Sequence, residues 1–148
     1  MTNELLGNAI TISGSRGITR EIANTSLNKH LSSLLGQKRV WWTGGAIGMD
    51  QRATEWLLEH NEECWIVVPF YAADQPQCTQ SLFPRVAKVI ELKLPKSNSA
   101  YIVRNQYMVK RSGAVFAFLA NQSKGTLSTI NYAISASREV HVFPTFLF

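Results

Sequence analysis

The sequence predicts an α/β fold: a three-layer, Rossmann-like parallel sheet with helices on both faces, in a single domain spanning residues 1–148. Three observations predict it. First, apolar and β-branched runs alternate with helical stretches along the chain, the pattern of successive βαβ units. Second, the run AVFAFLA at 114–120 is apolar at every position, as in a central parallel strand buried on both faces. Third, three strands each run straight into a small-residue loop: SGSRG at 13–17, TGGAIGMD at 43–50 and NQSKGT at 121–126. In an open parallel sheet such loops gather beyond the carboxyl ends of the strands, where ligands bind near the switch in strand order.

Taken in order, AITI at 9–12 is the first strand. Thr19 caps a helix expected to run to about Leu35, with Ile22, Leu27 and Leu31 on its apolar face and Gly36 just past its end. Residues 38–42 form the second strand and 49–60 the second helix. CWIVV at 64–68 is the third strand, stopped by Pro69. Residues 70–82 have no apolar period and read as a long irregular loop. Residues 86–94 read as a fourth extended run, broken by Pro95. A helix capped by Ser97, Asn98 or Ser99 then reaches about Arg111. After the strand at 114–120, a helix over 127–137 and a strand over 140–143 complete the pattern.

Composition excludes several classes. The N-terminal MTNELL lacks the basic and apolar regions of a signal peptide, and no apolar run approaches a membrane span, so a soluble, cytoplasmic protein is expected. Cys64 and Cys78 are expected as free thiols. His30, His60 and His141 have no ligand-spaced partners, so no metal and no cofactor are expected. The net charge of +5 is unevenly spread. Residues 50–74 hold six acids and one base, whereas 92–138 hold seven bases and no acid, which points to an electropositive side that attracts phosphates.

The loops suit that chemistry. Gly44 and Gly45 leave no Cβ in the way of a close approach to backbone N–H groups, and Gly14 and Gly125 do the same in the other two loops. Ser13, Ser15, Thr43, Thr126 and Thr129 offer hydroxyls. Arg16 is placed to close over a phosphate, and Arg104 lies on the helix before the central strand, sharing a face with Met108 and Arg111. Asp50, in the first turn of its helix, either contacts a ribose or holds the loop through backbone N–H groups, and the second role is the commoner one. Neither GxxxxGK[ST] nor GxGxxG occurs.

Together ISGSRGIT, VWWTGGAIGMDQRATEWLL, RNQYMVKRSGAVFAFLA and KGTLSTINYAISASREVHVFP resemble successive motifs of the DNA-processing protein A (DprA, or Smf) family. The Rossmann-like domain of that family belongs to a superfamily shared with the Lonely Guy phosphoribohydrolases. The resemblance implies single-stranded DNA binding on a basic pocket and delivery of that DNA to a recombinase. By position, the phosphate pocket would use Gly14, Ser15, Arg16, Gly44, Gly45, Arg104, Asn105, Gly125 and Thr126, with Lys124 beside them. Two departures stand out. At 148 residues no additional helical domains of the kind such proteins often carry are expected, and Ile47 stands where many relatives have an arginine. Against the phosphoribohydrolase motif PGGxGTxxE, Thr129 replaces the glutamate and Lys124 a neutral residue, and Asn105 replaces the lysine beside the substrate arginine. A hydroxyl cannot serve as general base near neutral pH, so no catalytic residue is assigned. A mononucleotide sensor and an N-glycosidic-bond hydrolase are the alternatives to a DNA-binding module. The apolar tail FPTFLF at 143–148 suits either a homodimer contact or the protein's own core.

Overall fold

Neighbouring residues of each strand serve opposite faces of the sheet, and the pairs show it. In the computed structural model, which describes residues 7–145, Trp41 joins the core on one face and Trp42 the core on the other. Ile66 and Val67 divide in the same way. The order of elements is β1 (Ala9–Gly14), α1 (Arg20–Leu31), β2 (Val40–Gly44), α2 (Met49–Glu59), β3 (Glu63–Val68), α3 (Gln77–Gln80), β4 (Lys88–Glu91), α4 (Ser99–Lys110), β5 (Ala114–Leu119), α5 (Lys124–Ser135) and β6 (Glu139–Pro144).

All six strands are parallel, in the order β4-β3-β2-β1-β5-β6. Helices α1 and α2 cover one face, where Leu27, Leu31, Met49, Trp56 and Leu57 pack on Ile12, Trp41 and Phe118. Helices α4 and α5 cover the other, through Met108, Val109 and Ala133. The expected α/β fold with a parallel sheet is thus the observed one. No described helix is long and apolar enough to cross a membrane.

Several boundaries move, for local reasons. Helix α1 stops at Leu31 and gives way to a 3-10 turn, Ser32–Leu34, in which the Ser32 hydroxyl donates back to Asn28 O (2.6 Å). Strand β2 begins at Val40, because Lys38 has φ +51°. The irregular stretch holds three short helical turns, Ala72–Asp74, Gln77–Gln80 and Phe83–Arg85. They are fixed by polar contacts that leave no apolar period, such as Tyr71 N–H to Asp74 Oδ2 (3.2 Å) and Ala72 N–H to Glu91 Oε2 (2.7 Å). Only Lys88–Glu91 of the fourth extended run joins the sheet. Helix α5 starts at Lys124, three residues early, so Lys124, Gly125 and Thr126 form its first turn rather than a loop. The tail residues 146–148 lie outside the described part of the chain.

Candidate functional site

The strand order reverses between β1 and β5, and a cavity of about 410 Å³ opens there at the carboxyl edge. Its size suits a nucleotide-scale ligand. One wall is a single face of α4. Tyr101, Arg104, Asn105 and Met108 recur at i, i+3, i+4 and i+7 and all line the cavity. The other walls are the ends of β1 and β5 and the first turns of α2 and α5, through Gly14, Ser15, Arg16, Asp50, Gly125 and Thr126.

Ser15 ties these walls together. Its N–H donates to Phe118 O (3.3 Å), its hydroxyl donates to Ala120 O (3.2 Å) and accepts from Ala120 N–H (3.1 Å), and its carbonyl accepts from Met49 N–H (3.1 Å). That hydroxyl joins strand ends and is not free for a ligand. Gly14 lets α2 close in, since a Cβ there would stand 2.6 Å from that of Met49. Gly48, at φ +84°, sits against the Arg16 backbone with no space for a side chain. The chain around Arg16 is therefore clamped while its side chain stays exposed, with the guanidinium carbon 5.5 Å from the Tyr101 ring centroid.

Arg104 is buried, with only 4% of its surface exposed. Its Nε donates to Asn105 Oδ1 (2.7 Å) and its Nη1 to Val67 O (3.2 Å), which fixes the fork and leaves Nη2 without a hydrogen-bond partner among the described residues. Burial lowers its pKa, and the nearby Asp50 carboxylate opposes the shift. Burial likewise pushes the Asp50 carboxyl up, against the pull of Arg104, the Ala46 N–H and Arg16. The two charges form no ion pair: they flank the place a Gly44 Cβ would occupy, 2.6 Å from Asp50 Oδ2 and 2.6 Å from Arg104 Nη1. Gly44 is required to keep both groups where they are.

Of the other candidates, Thr43, Gly45, Lys124 and Thr129 do not line the cavity. The Thr43 hydroxyl turns inward to Thr54 Oγ1 (2.9 Å) and Cys64 Sγ (3.6 Å). Burial pushes the Cys64 thiol up to about 12. Gly45 backs onto Val68 and Gln75. Thr129 is buried, and its hydroxyl donates to Gly125 O (3.1 Å) within α5. Lys124 is exposed on the first turn of α5, beside the cavity wall but not in it. The Thr126 hydroxyl donates to Ser123 Oγ (3.3 Å), and no side chain caps the N–H groups at the start of α5.

The acid-free stretch does not make one basic side. Helix α4 runs back along the sheet, and Arg111 lies seven residues, about 10 Å, beyond Arg104 toward the amino edge. There Arg111 packs on Tyr107 and donates to its carbonyl (3.0 Å). Arg138 holds Val109 O (3.1 Å) and Ala136 O (2.8 Å), and Lys96 pairs with Asp74 (3.2 Å). Arg16 and Arg104 line the cavity, and Lys124 lies beside it. Tyr101 is the wall residue that its α4 spacing from Arg104, three residues earlier on the same face, singles out.

A parallel Rossmann-like domain with a cationic cavity at its switch point is the class these features define. The chain belongs to the DNA recombination-mediator protein A family, whose profile it matches over residues 2–148. In fold it is similar to DNA processing protein A from Streptococcus pneumoniae, with a TM-score of 0.77 at 19% identity over 92% of this chain and 50% of that one. It is also similar to DNA processing protein A from Helicobacter pylori, a structure described for its single-stranded DNA binding mode, with a TM-score of 0.72 at 20% identity over 95% of this chain and 66% of that one. The chain thus spans half the length of the first and about two thirds of the second. No curated protein matches it in sequence.

Proposed function

We propose that the cavity binds single-stranded DNA through its phosphates, as a module of DNA processing and recombination. The observation that carries this reading is the convergence, on one cavity at the switch point, of the free Arg104 Nη2, the exposed Arg16 and the uncapped start of α5. Guanidinium forks and helix N-termini both favour phosphate oxygens. The family's description as a recombination mediator supports a role in which the bound strand is passed on to a recombinase.

The role is one of holding rather than cutting. Thr129 is buried and its hydroxyl is already bonded within the helix, so free base is not expected to be released from nucleoside monophosphates. The test is titration of a labelled oligonucleotide in competition with AMP at several salt concentrations. With Arg16, Arg104 and Lys124 each neutralising one phosphate, log affinity should fall against log salt with a slope of roughly −2, at about −0.7 per contact. Arg16→Ala should weaken binding to all sequences alike and flatten the slope by about one contact. Equal affinity for AMP and a long oligonucleotide would replace DNA binding by the nucleotide-sensor reading.

A further inference from the structure

A phosphate does not explain Asp50. The carboxylate lines the same cavity, only 8% exposed, and would repel a phosphate held by Arg104. No side chain among the described residues donates to it, and the one backbone donor acting on it, the Ala46 N–H, leaves acceptor positions open. A buried carboxylate with open acceptor positions is costly unless a donor meets it. A cation is a poor candidate, because Arg104 and Arg16 both act on Asp50 and no metal-binding cluster occurs among the described residues. The missing donor then belongs to the ligand.

Geometry narrows the kind of donor. Asp50 Oδ2 and Arg104 Nη1 each lie 2.6 Å from one point, the absent Cβ of Gly44, so the donor must sit close beside the phosphate that Arg104 holds. In a nucleotide the sugar hydroxyls stand that close to a phosphate, whereas the N–H edge of the base lies beyond the sugar. We infer that Asp50 accepts a hydrogen bond from a sugar hydroxyl next to the bound phosphate, so that the cavity selects a nucleotide carrying that hydroxyl. Within a DNA strand whose 5′ end is phosphorylated only the 3′-terminal nucleotide has one free, and a free ribonucleotide offers the same chemistry. This rests on the cavity being the phosphate site proposed above.

The test has two arms. One compares binding of a short 5′-labelled oligodeoxynucleotide ending in a 3′-hydroxyl with the same strand ending in a dideoxynucleotide. The other compares AMP, its 2′-deoxy form and its 2′,3′-dideoxy form as competitors. At least one arm should favour the hydroxyl by roughly tenfold, the scale expected when a buried charged acceptor loses its donor. Preference in the first arm assigns the site to strand ends, and preference confined to the second assigns it to ribonucleotides. Asp50→Ala should erase the preference. If that variant does not fold, the near-isosteric Asp50→Asn should narrow it severalfold. Binding that depends on Arg16 but ignores the hydroxyl in both arms overturns the inference alone, as does a preference that survives in both Asp50 variants. Failure of every probe to bind overturns the phosphate reading with it.

Discussion

The β2–α2 loop and the turn into α5 look alike as sequence, a glycine among small residues after a strand, yet they are built in opposite ways. In the first, every absent Cβ has been replaced by something else. Arg104 and Asp50 crowd Gly44, Val68 and Gln75 crowd Gly45, and the Arg16 backbone crowds Gly48. In the second, a Cβ on Gly125 would meet nothing within 4 Å. The glycines of the first loop let the wall of the cavity be assembled. The glycine of the second leaves open space at a helix N-terminus that lines the cavity.

The largest effect that follows is at Gly44. Gly44→Ala drives a methyl between two buried charged groups, and should cost on the order of 3 kcal/mol, the upper range for overpacking. Chemical denaturation measures it. Thiol labelling gives a second readout, because Cys64 lies under Thr43 and burial holds its thiol at about 12, whereas Cys78 is exposed. Cys64 should stay unlabelled in the native protein while Cys78 reacts, and Gly44→Ala should speed Cys64 labelling. A variant as stable as the parent would mean that the wall yields without loss.

Asp50 sharpens the same contrast through pH. Its folded pKa is raised above the ordinary 3.8 by burial. The folded state therefore holds this proton more tightly than the unfolded chain does. Its contribution to stability falls as pH rises from about the ordinary value to the raised folded value, and levels off above that. Asp50→Asn mimics the protonated form, so the variant should gain on the parent across that window and keep the gain at neutral pH. Stability curves that run parallel at all pH values would show that Asp50 is better solvated than its burial implies.

How much was legible in the sequence follows the same division. The sheet was readable because each strand needs apolar residues at a short period, as the paired faces of Trp41 and Trp42 illustrate. Motif position grouped Arg16, Arg104 and Asn105, and the three line one cavity. What was hidden was which way each polar group turns. Thr43 and Thr129 carry the same hydroxyl as Thr126, but the first faces Thr54 and the second its own helix. Nothing in a linear pattern separates them. The basic stretch misled for a geometric reason: it spans one full helix, so Arg104 and Arg111 end near opposite edges of the sheet despite sharing a helix face.

The smallest stability change belongs to Gly125, and it is the one that separates folding from binding. Gly125 lies in the first turn of α5, with no positive φ to require glycine and open space where a Cβ would go. Gly125→Ala should therefore stabilise the protein modestly, by about 0.4–1 kcal/mol, by restricting the unfolded chain. The same methyl would project into the space through which a phosphate reaches the uncapped N–H groups of the helix. Oligonucleotide affinity should then fall even though the melting temperature rises. At Gly44 the two readouts should fall together, because one methyl disrupts both the packing and the arginine. Opposite signs at Gly125 would place the phosphate at the start of α5, whereas a rise in stability with unchanged affinity would move it toward Arg16 and away from that helix.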